Sequence, residues 1–417
     1  MEPLKPRKAP SKARVSRRNA SRRWCVPPAL LHEPDELLEG AGVLDELPTA
    51  VGLVLWQSLR DVTLWASLPA EERPALFTPQ AARVRLTELL ESGAEPALEV
   101  SLTTLAALVG SPETANPEIV SLVCIQVSRW ADERGAFATA MGYAQAAAQV
   151  LPLDASPALA AGTLALRWRR SARAETWLRR AVGLARRRRQ WEVYAQAYVE
   201  LGGLYTRRGQ AAQAQRFFVQ GLRASRRHGL MAVRGSALHG LLMLAVEAGA
   251  LDEAERYARG AMRAYGRGHP RLPELVHDVA YLWVRRESYA RAIPMLQKLL
   301  PTRVEPVERA LTLAILARAA AGAGDTPLYQ ESWMDAWTVV NRRPEDAGKH
   351  GRALLEMARG SVVASDWNHV EQAVRLATAS VSPQGERAVT TQVEELAAAL
   401  RQQKSPVPSA WEKDRSP

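Results

Sequence analysis

A pattern that returns seven times, at spacings of 34 to 41 residues, constrains this chain more than any single motif. Counted from Gly135, the equivalent turn positions are Arg169, Gly209, Gly249, Glu287, Gly324 and Ser365, at intervals of 34, 40, 40, 38, 37 and 41. Five residues after each turn stand Ala140, Ala174, Ala214, Ala254, Ala292, Tyr329 and Val370. Twelve after stand Ala147, Ala181, Gly221, Ala261, Leu299, Ala336 and Ala377. Alanine fills five of seven places in both columns. With 71 alanines in 417 residues, chance would fill only about one place in seven, so the period is not a by-product of alanine richness.

Two antiparallel helices pressed together need small residues where their axes approach and larger apolar ones beside them. The unit around Gly209 supplies both. Tyr198, Leu201, Gly202 and Tyr205 precede the turn, and Ala214, Phe218, Gly221 and Leu222 follow it at offsets of three and four. The run Tyr198, Leu201-Gly202, Tyr205, Ala214 and Phe218 resembles the tetratricopeptide signature of aromatic, Leu-Gly, Tyr, Ala and Phe. Gly135, Phe137, Ala140, Ala144, Ala147 and Pro152 match it too, as do Gly249, Ala254, Ala258 and Ala261. The units at Glu287, Gly324 and Ser365 are degenerate, and Pro294 is expected to kink its helix or delay its start. The resemblance spans residues 118–383. It implies an all-α, right-handed superhelical solenoid of about seven antiparallel helix pairs, with non-repeat helical caps.

Strand patterns are nearly absent, which agrees with an all-α chain. Residues 24–117 lie outside the repeat register and read as a capping or interaction region. Their clearest helix carries Val51, Val54, Leu55, Leu59, Val62 and Trp65, and shorter helices follow over Pro79 to Glu91 and Ala97 to Val109. Trp56 and Trp65 are the candidate apolar contacts of such a module. Over 384–402, the stripe Val389, Val393, Leu396 and Leu400 reads as a polar-faced capping helix, and 403–417 as a disordered tail.

The net charge of +11 is unevenly placed. Residues 1–23 carry nine Lys or Arg against Glu2, giving +8, and 167–189 carry ten Arg against Glu175, giving +9. The remainder sums to 11 minus 17, or −6, so the body is mildly acidic. The first stretch is too poor in large apolar residues to offset its ordering entropy and is expected to be disordered. It is either a solvated tail or an arm that neutralises phosphates. In the second, Arg173, Arg180 and Arg187 recur every seven residues, as do Arg179 and Arg186. With Arg188 and Arg189 they read either as cations complementing a helix C-terminus or as basic rows on its outer face for an anionic partner.

The two cysteines, Cys25 and Cys124, offer neither a disulfide scaffold nor a metal-ligand spacing, and the seven histidines form no metal pattern. No Walker A loop, Gly-x-Ser-x-Gly elbow or redox cysteine pair occurs, so no cofactor and no catalysis are expected. No apolar run of membrane-spanning length appears, so a cytoplasmic location without membrane insertion is expected. The acid-poor, Arg- and Ser-rich opening leaves an organelle transit peptide as the alternative.

By the resemblance, the first helix of each hairpin lines a concave groove, through residues ten, six and two before each turn. Those places hold the candidates Arg129, Arg167, Arg207, His239, His277, Tyr281, Arg285, Arg318 and Arg359, an Arg-rich lining with an aromatic patch at Tyr281. The expectation is a non-enzymatic scaffold or regulatory adaptor that binds a protein or peptide, acidic or carboxylate-bearing. The alternative is a nucleic-acid-associated regulator that uses the basic arm and the Arg-rich helix.

Overall fold

The structure, a computed structural model, describes residues 42–342, 350–379, 391 and 393–398. Among these residues there is no strand. Four helices come first: α1 (Val43–Glu46), α2 (Ala50–Ser67), α3 (Pro79–Glu91) and α4 (Pro96–Gly110). Seven antiparallel pairs follow. They are α5 (Pro117–Glu133) with α6 (Phe137–Val150), α7 (Ala155–Arg167) with α8 (Ser171–Arg188), and α9 (Trp191–Arg207) with α10 (Ala211–Arg227). Then come α11 (Met231–Glu247) with α12 (Leu251–Tyr265), and α13 (Leu272–Arg285) with α14 (Tyr289–Leu299). The last pairs are α15 (Pro306–Ala323) with α16 (Thr326–Asn341), and α17 (Gly351–Val363) with α18 (Trp367–Ala379).

Each pair closes by the same device. All seven turn residues adopt the left-handed backbone, with φ from 57° to 77°. The residue after each turn donates its N–H to the carbonyl five residues earlier, from Ala136 to Ala131 through to Asp366 to Ser361, at 2.8–3.0 Å. This is the 6→1 closure of a helix C-terminus, which glycine favours because it has no Cβ. Arg169, Glu287 and Ser365 take the same conformation without that freedom, so these three turns keep the geometry at a cost in backbone strain.

The small-residue columns are the helix–helix contacts. All seven residues five after the turns are buried, and so are all seven that lie twelve after. In the third pair the Phe218 ring rests against two glycines: a Cβ on Gly202 of α9 would lie 2.6 Å from it, and one on Gly240 of α11 2.3 Å. Pro294 sits inside α14, whose start at Tyr289 is not delayed. Its missing N–H removes one rung of that 11-residue helix, which ends in a 3₁₀ turn at Leu300–Thr302.

The N-terminal helices share a core with the first pair. Tyr143 on α6 donates to the Leu55 carbonyl on α2 at 2.7 Å, and the Glu46 carboxylate accepts from the backbone N–H groups of Ala138 and Thr139 at 2.6 and 2.8 Å. That carboxylate thus satisfies orphan donors at the start of α6. Trp65 is fully buried and donates to the Pro112 carbonyl at 2.7 Å, so of the two tryptophans only Trp56 offers a surface contact. Residues 1–23 and 24–41, with Cys25, lie outside the described residues, as do Val389, Leu400 and 403–417. The described part of 384–402 is helical and buries Val393 against the core of the last two pairs.

Candidate functional site

The first helices of the later pairs, α9, α11, α13, α15 and α17, line a groove. Two hollows lie in it, of ≈ 390 and ≈ 540 Å³. They share Gly203 and Arg207 of α9, Gly240 and Met243 of α11, His277 and Asp278 of α13, and Leu311 of α15, so the two are continuous. The second is walled on its far side by Arg352, Leu355, Glu356 and Arg359 of α17. The solenoid curls far enough for Arg352 to approach Glu247 of α11 at 3.5 Å, across 105 residues of sequence. Gly203 has nothing within 4 Å of where its Cβ would stand, so the groove is open at the wall common to both hollows.

Its charge is arranged in a register that the repeat imposes. Glu200, Asp278 and Glu356 each stand nine residues before a turn, 78 residues apart, on alternate first helices. Glu356 is buried and pairs with Arg318 and Arg359, each at 2.6 Å, while the Tyr281 hydroxyl donates to it at 3.2 Å. Burial opposes its ionisation, but the two guanidinium groups outweigh it and hold the carboxyl below the usual range. Asp278 sits between His239 Nε2 at 2.7 Å and His277 Nδ1 at 3.1 Å. Desolvation opposes its charge as well, and hydrogen bonds from the two imidazoles depress its pKa nonetheless. Among the described residues Glu200 has no cation within salt-bridge distance; it accepts from Gln196 Nε2 at 2.6 Å, and burial raises its pKa against the more distant pull of Arg271, Arg207 and Arg167.

Of the groove candidates, Arg207, His239, His277, Tyr281 and Arg359 therefore meet in the hollows, and Arg318 stands behind Glu356. Arg285 bonds the Tyr281 side chain but lines a separate hollow with Asp252 at the turns. Arg129 and Arg167 are not in the lining of the two hollows. Arg129 is exposed on α5, and Arg167 is drawn to Asp132 of the preceding pair by an ion pair. The picture of an Arg-rich lining also changes, because Arg318 and Arg359 share a buried carboxylate on α17. Sequence reasoning missed Glu200, Asp278 and Glu356; the 78-residue acidic column was the signal for them. Arg271, Arg303 and Arg352, which also line the hollows, lie outside the three places in each repeat that were read.

The basic rows on α8 resolve unevenly. Arg173 is buried rather than on the outer face, because it lies one residue before Ala174 in the small-residue column. Arg179 bonds Glu175 at 2.8 Å within a cluster that includes Arg208 and Tyr205. Arg180 donates to the Pro152 carbonyl at 3.2 Å, and burial lowers its pKa. Arg186, Arg187 and Arg188 are exposed in the last turn of the helix, and Arg189 is its left-handed cap.

Seven antiparallel pairs, each closed by a left-handed turn, define a tetratricopeptide-like helical-repeat solenoid. No family model matches the chain, and no curated protein matches it. Among solved structures it is similar to BtubC (BKLC) from P. vanneervenii, at 19% identity over 54% of this chain and 90% of that one, with a TM-score of 0.40. It is similar to a Rap protein complexed with competence and sporulation factor, at 12% identity over 85% and 99% of the two chains and a TM-score of 0.46. The TPR domain of P58(IPK) is similar at 11% identity over 78% and 99%, with a TM-score of 0.22. The fold assignment rests on the chain's own turns and helix pairs. No helix among the described residues is long and apolar enough to cross a membrane, and no group of three metal-ligating side chains occurs among them.

Proposed function

We propose that this protein is an adaptor that holds a segment of a partner protein in the groove between α9 and α17. The observation that supports this most is the continuity of the two hollows, whose volumes fall within the roughly 300–1,000 Å³ of ligand sites. A groove lined by successive first helices offers an extended segment one set of contacts per repeat. The expected acidic character of that segment finds mixed support, since Arg318 and Arg359 share Glu356, Arg352 pairs with Glu247, and Glu200 and Asp278 add negative charge to the same lining.

A photo-crosslinking residue placed at Gly203 tests this, with the same residue at Arg216 on α10 as the comparison. The groove position should yield a discrete crosslinked partner in cells and the α10 position should not. Equal yields from both, or none from Gly203, would remove the groove as the binding site.

A further inference from the structure

A second surface carries charge that the groove does not use. Eighteen residues after three successive turns stand Arg187, Arg227 and Arg267, spaced by 40 residues each. Arg187 lies in the last turn of α8, Arg227 ends α10, and Arg267 follows α12 by two residues. Ring contacts show that these helix ends are neighbours. Trp191, the first residue of α9, stacks on His228 at 4.6 Å with the planes 9° apart, which sets the end of α10 beside the α8–α9 junction. One repeat further, Tyr265 packs on Gly235 and donates to Ser236 at 3.2 Å, which sets the end of α12 beside the α10–α11 junction.

Residues 183–191, 222–231 and 262–268 together hold nine arginines and no Asp or Glu. All nine are exposed. A helix C-terminus is equivalent to only about half a negative charge, so three helix ends account for a minor part of this concentration.

We infer that this edge binds the sugar–phosphate backbone of a nucleic acid. Phosphates ask for cations in a row and little else, and arginine's planar fork matches them. A protein partner would need an apolar centre to its interface. Here Trp191 and Tyr265 stack on His228 and His269, and the large apolar side chains exposed in these segments are Met231 and Met262. The site reads no bases, so binding is salt-dependent and nearly independent of sequence.

The test is fluorescence anisotropy of the full-length protein with random-sequence duplex DNA, single-stranded RNA and polyglutamate, across a potassium chloride series. On duplex DNA the combined change Arg187→Ala, Arg227→Ala, Arg267→Ala should lower the salt slope by about 3 and weaken low-salt binding at least about tenfold. Changing Arg129, Arg216 and Arg256 to Ala, three exposed arginines elsewhere, should leave the slope as it was. The duplex and single-stranded arms decide which form of backbone is preferred. The inference is overturned if the wild type binds neither nucleic acid, if the edge variant keeps the full slope, if the comparison variant loses as much, or if polyglutamate binds and nucleic acid does not.

Discussion

Gly202 and Gly203 are neighbours in α9, yet alanine should act on them in opposite directions. In a helix interior, glycine costs roughly 0.5–1 kcal/mol relative to alanine, so either substitution gains that much from the backbone alone. At Gly203 nothing lies within 4 Å of the new methyl, so the gain is kept and Gly203→Ala should stabilise by about 0.5–1 kcal/mol. At Gly202 the methyl would lie 2.6 Å from Cδ1 and Cε1 of Phe218 and 2.8 Å from Cγ. Carbon atoms pack best at about 3.5–4.0 Å, so α9 and α10 must part or the ring must move by about an ångström. A ring is not a flexible tip, and this one also rests against Gly240. Overpacking of this kind costs about 1–3 kcal/mol, which leaves Gly202→Ala net destabilised by about 0.5–2 kcal/mol. The two variants should differ by about 1–3 kcal/mol in urea unfolding followed by circular dichroism. If Gly202→Ala proved as stable as Gly203→Ala, the contact of Phe218 with its two glycines would not be what fixes the spacing of these helices.

Glu287→Gly and Ser365→Gly relieve left-handed strain at φ of 59° and 57° and should each stabilise by about 1 kcal/mol, read as a higher urea midpoint at unchanged slope. Glu356→Gln removes the shared partner of Arg318 and Arg359 and should destabilise by about 3 kcal/mol, the low end for a broken buried pair because both arginines are partly exposed. Because the folded pKa of Glu356 is depressed, its contribution is complete above the ordinary carboxylate value of about 4.3 and is lost as pH falls through the folded value. Wild type and Glu356→Gln should therefore differ in urea midpoint at neutral pH and converge in acid; a gap that stayed constant with pH would refute this. Burial pushes the Cys124 thiol up to about 12, so the peptide that contains it should resist alkylation at pH 8 until urea unfolds the chain, as peptide mass mapping would show.

The repeat was legible because its determinants are local in sequence and strict in geometry. A left-handed turn, a small residue five later and another twelve later are dictated by how two helices approach, so even Glu287 and Ser365 keep the turn without glycine. Of the helices before the first pair, α2, α3 and α4 were readable, with Pro79 and Pro96 marking the starts of the last two, whereas the four-residue α1 was not. The groove was legible only in part. His239, His277 and Tyr281 were placed by register, but the bond from Tyr281 to Glu356 depends on α17 lying opposite α13, a long-range consequence of curvature that no local pattern encodes, and the Arg318 pair depends on how α15 packs on α17. Arg173 shows the same limit at shorter range: heptad spacing put it in a row with Arg180, but it stands beside the small-residue column and is carried into the interior.

The central claim is that binding takes place in the groove, and Gly203→Trp tests it most directly. The substitution directs an indole into the open wall shared by both hollows, where no described atom stands within 4 Å of the Cβ, so the fold should survive with its helical content and unfolding midpoint intact. Titration calorimetry with the partner recovered by crosslinking should show affinity weakened by about a hundredfold or more, a loss of roughly 2.7 kcal/mol. Affinity equal to that of the wild type, in a variant shown to be folded, would contradict the account.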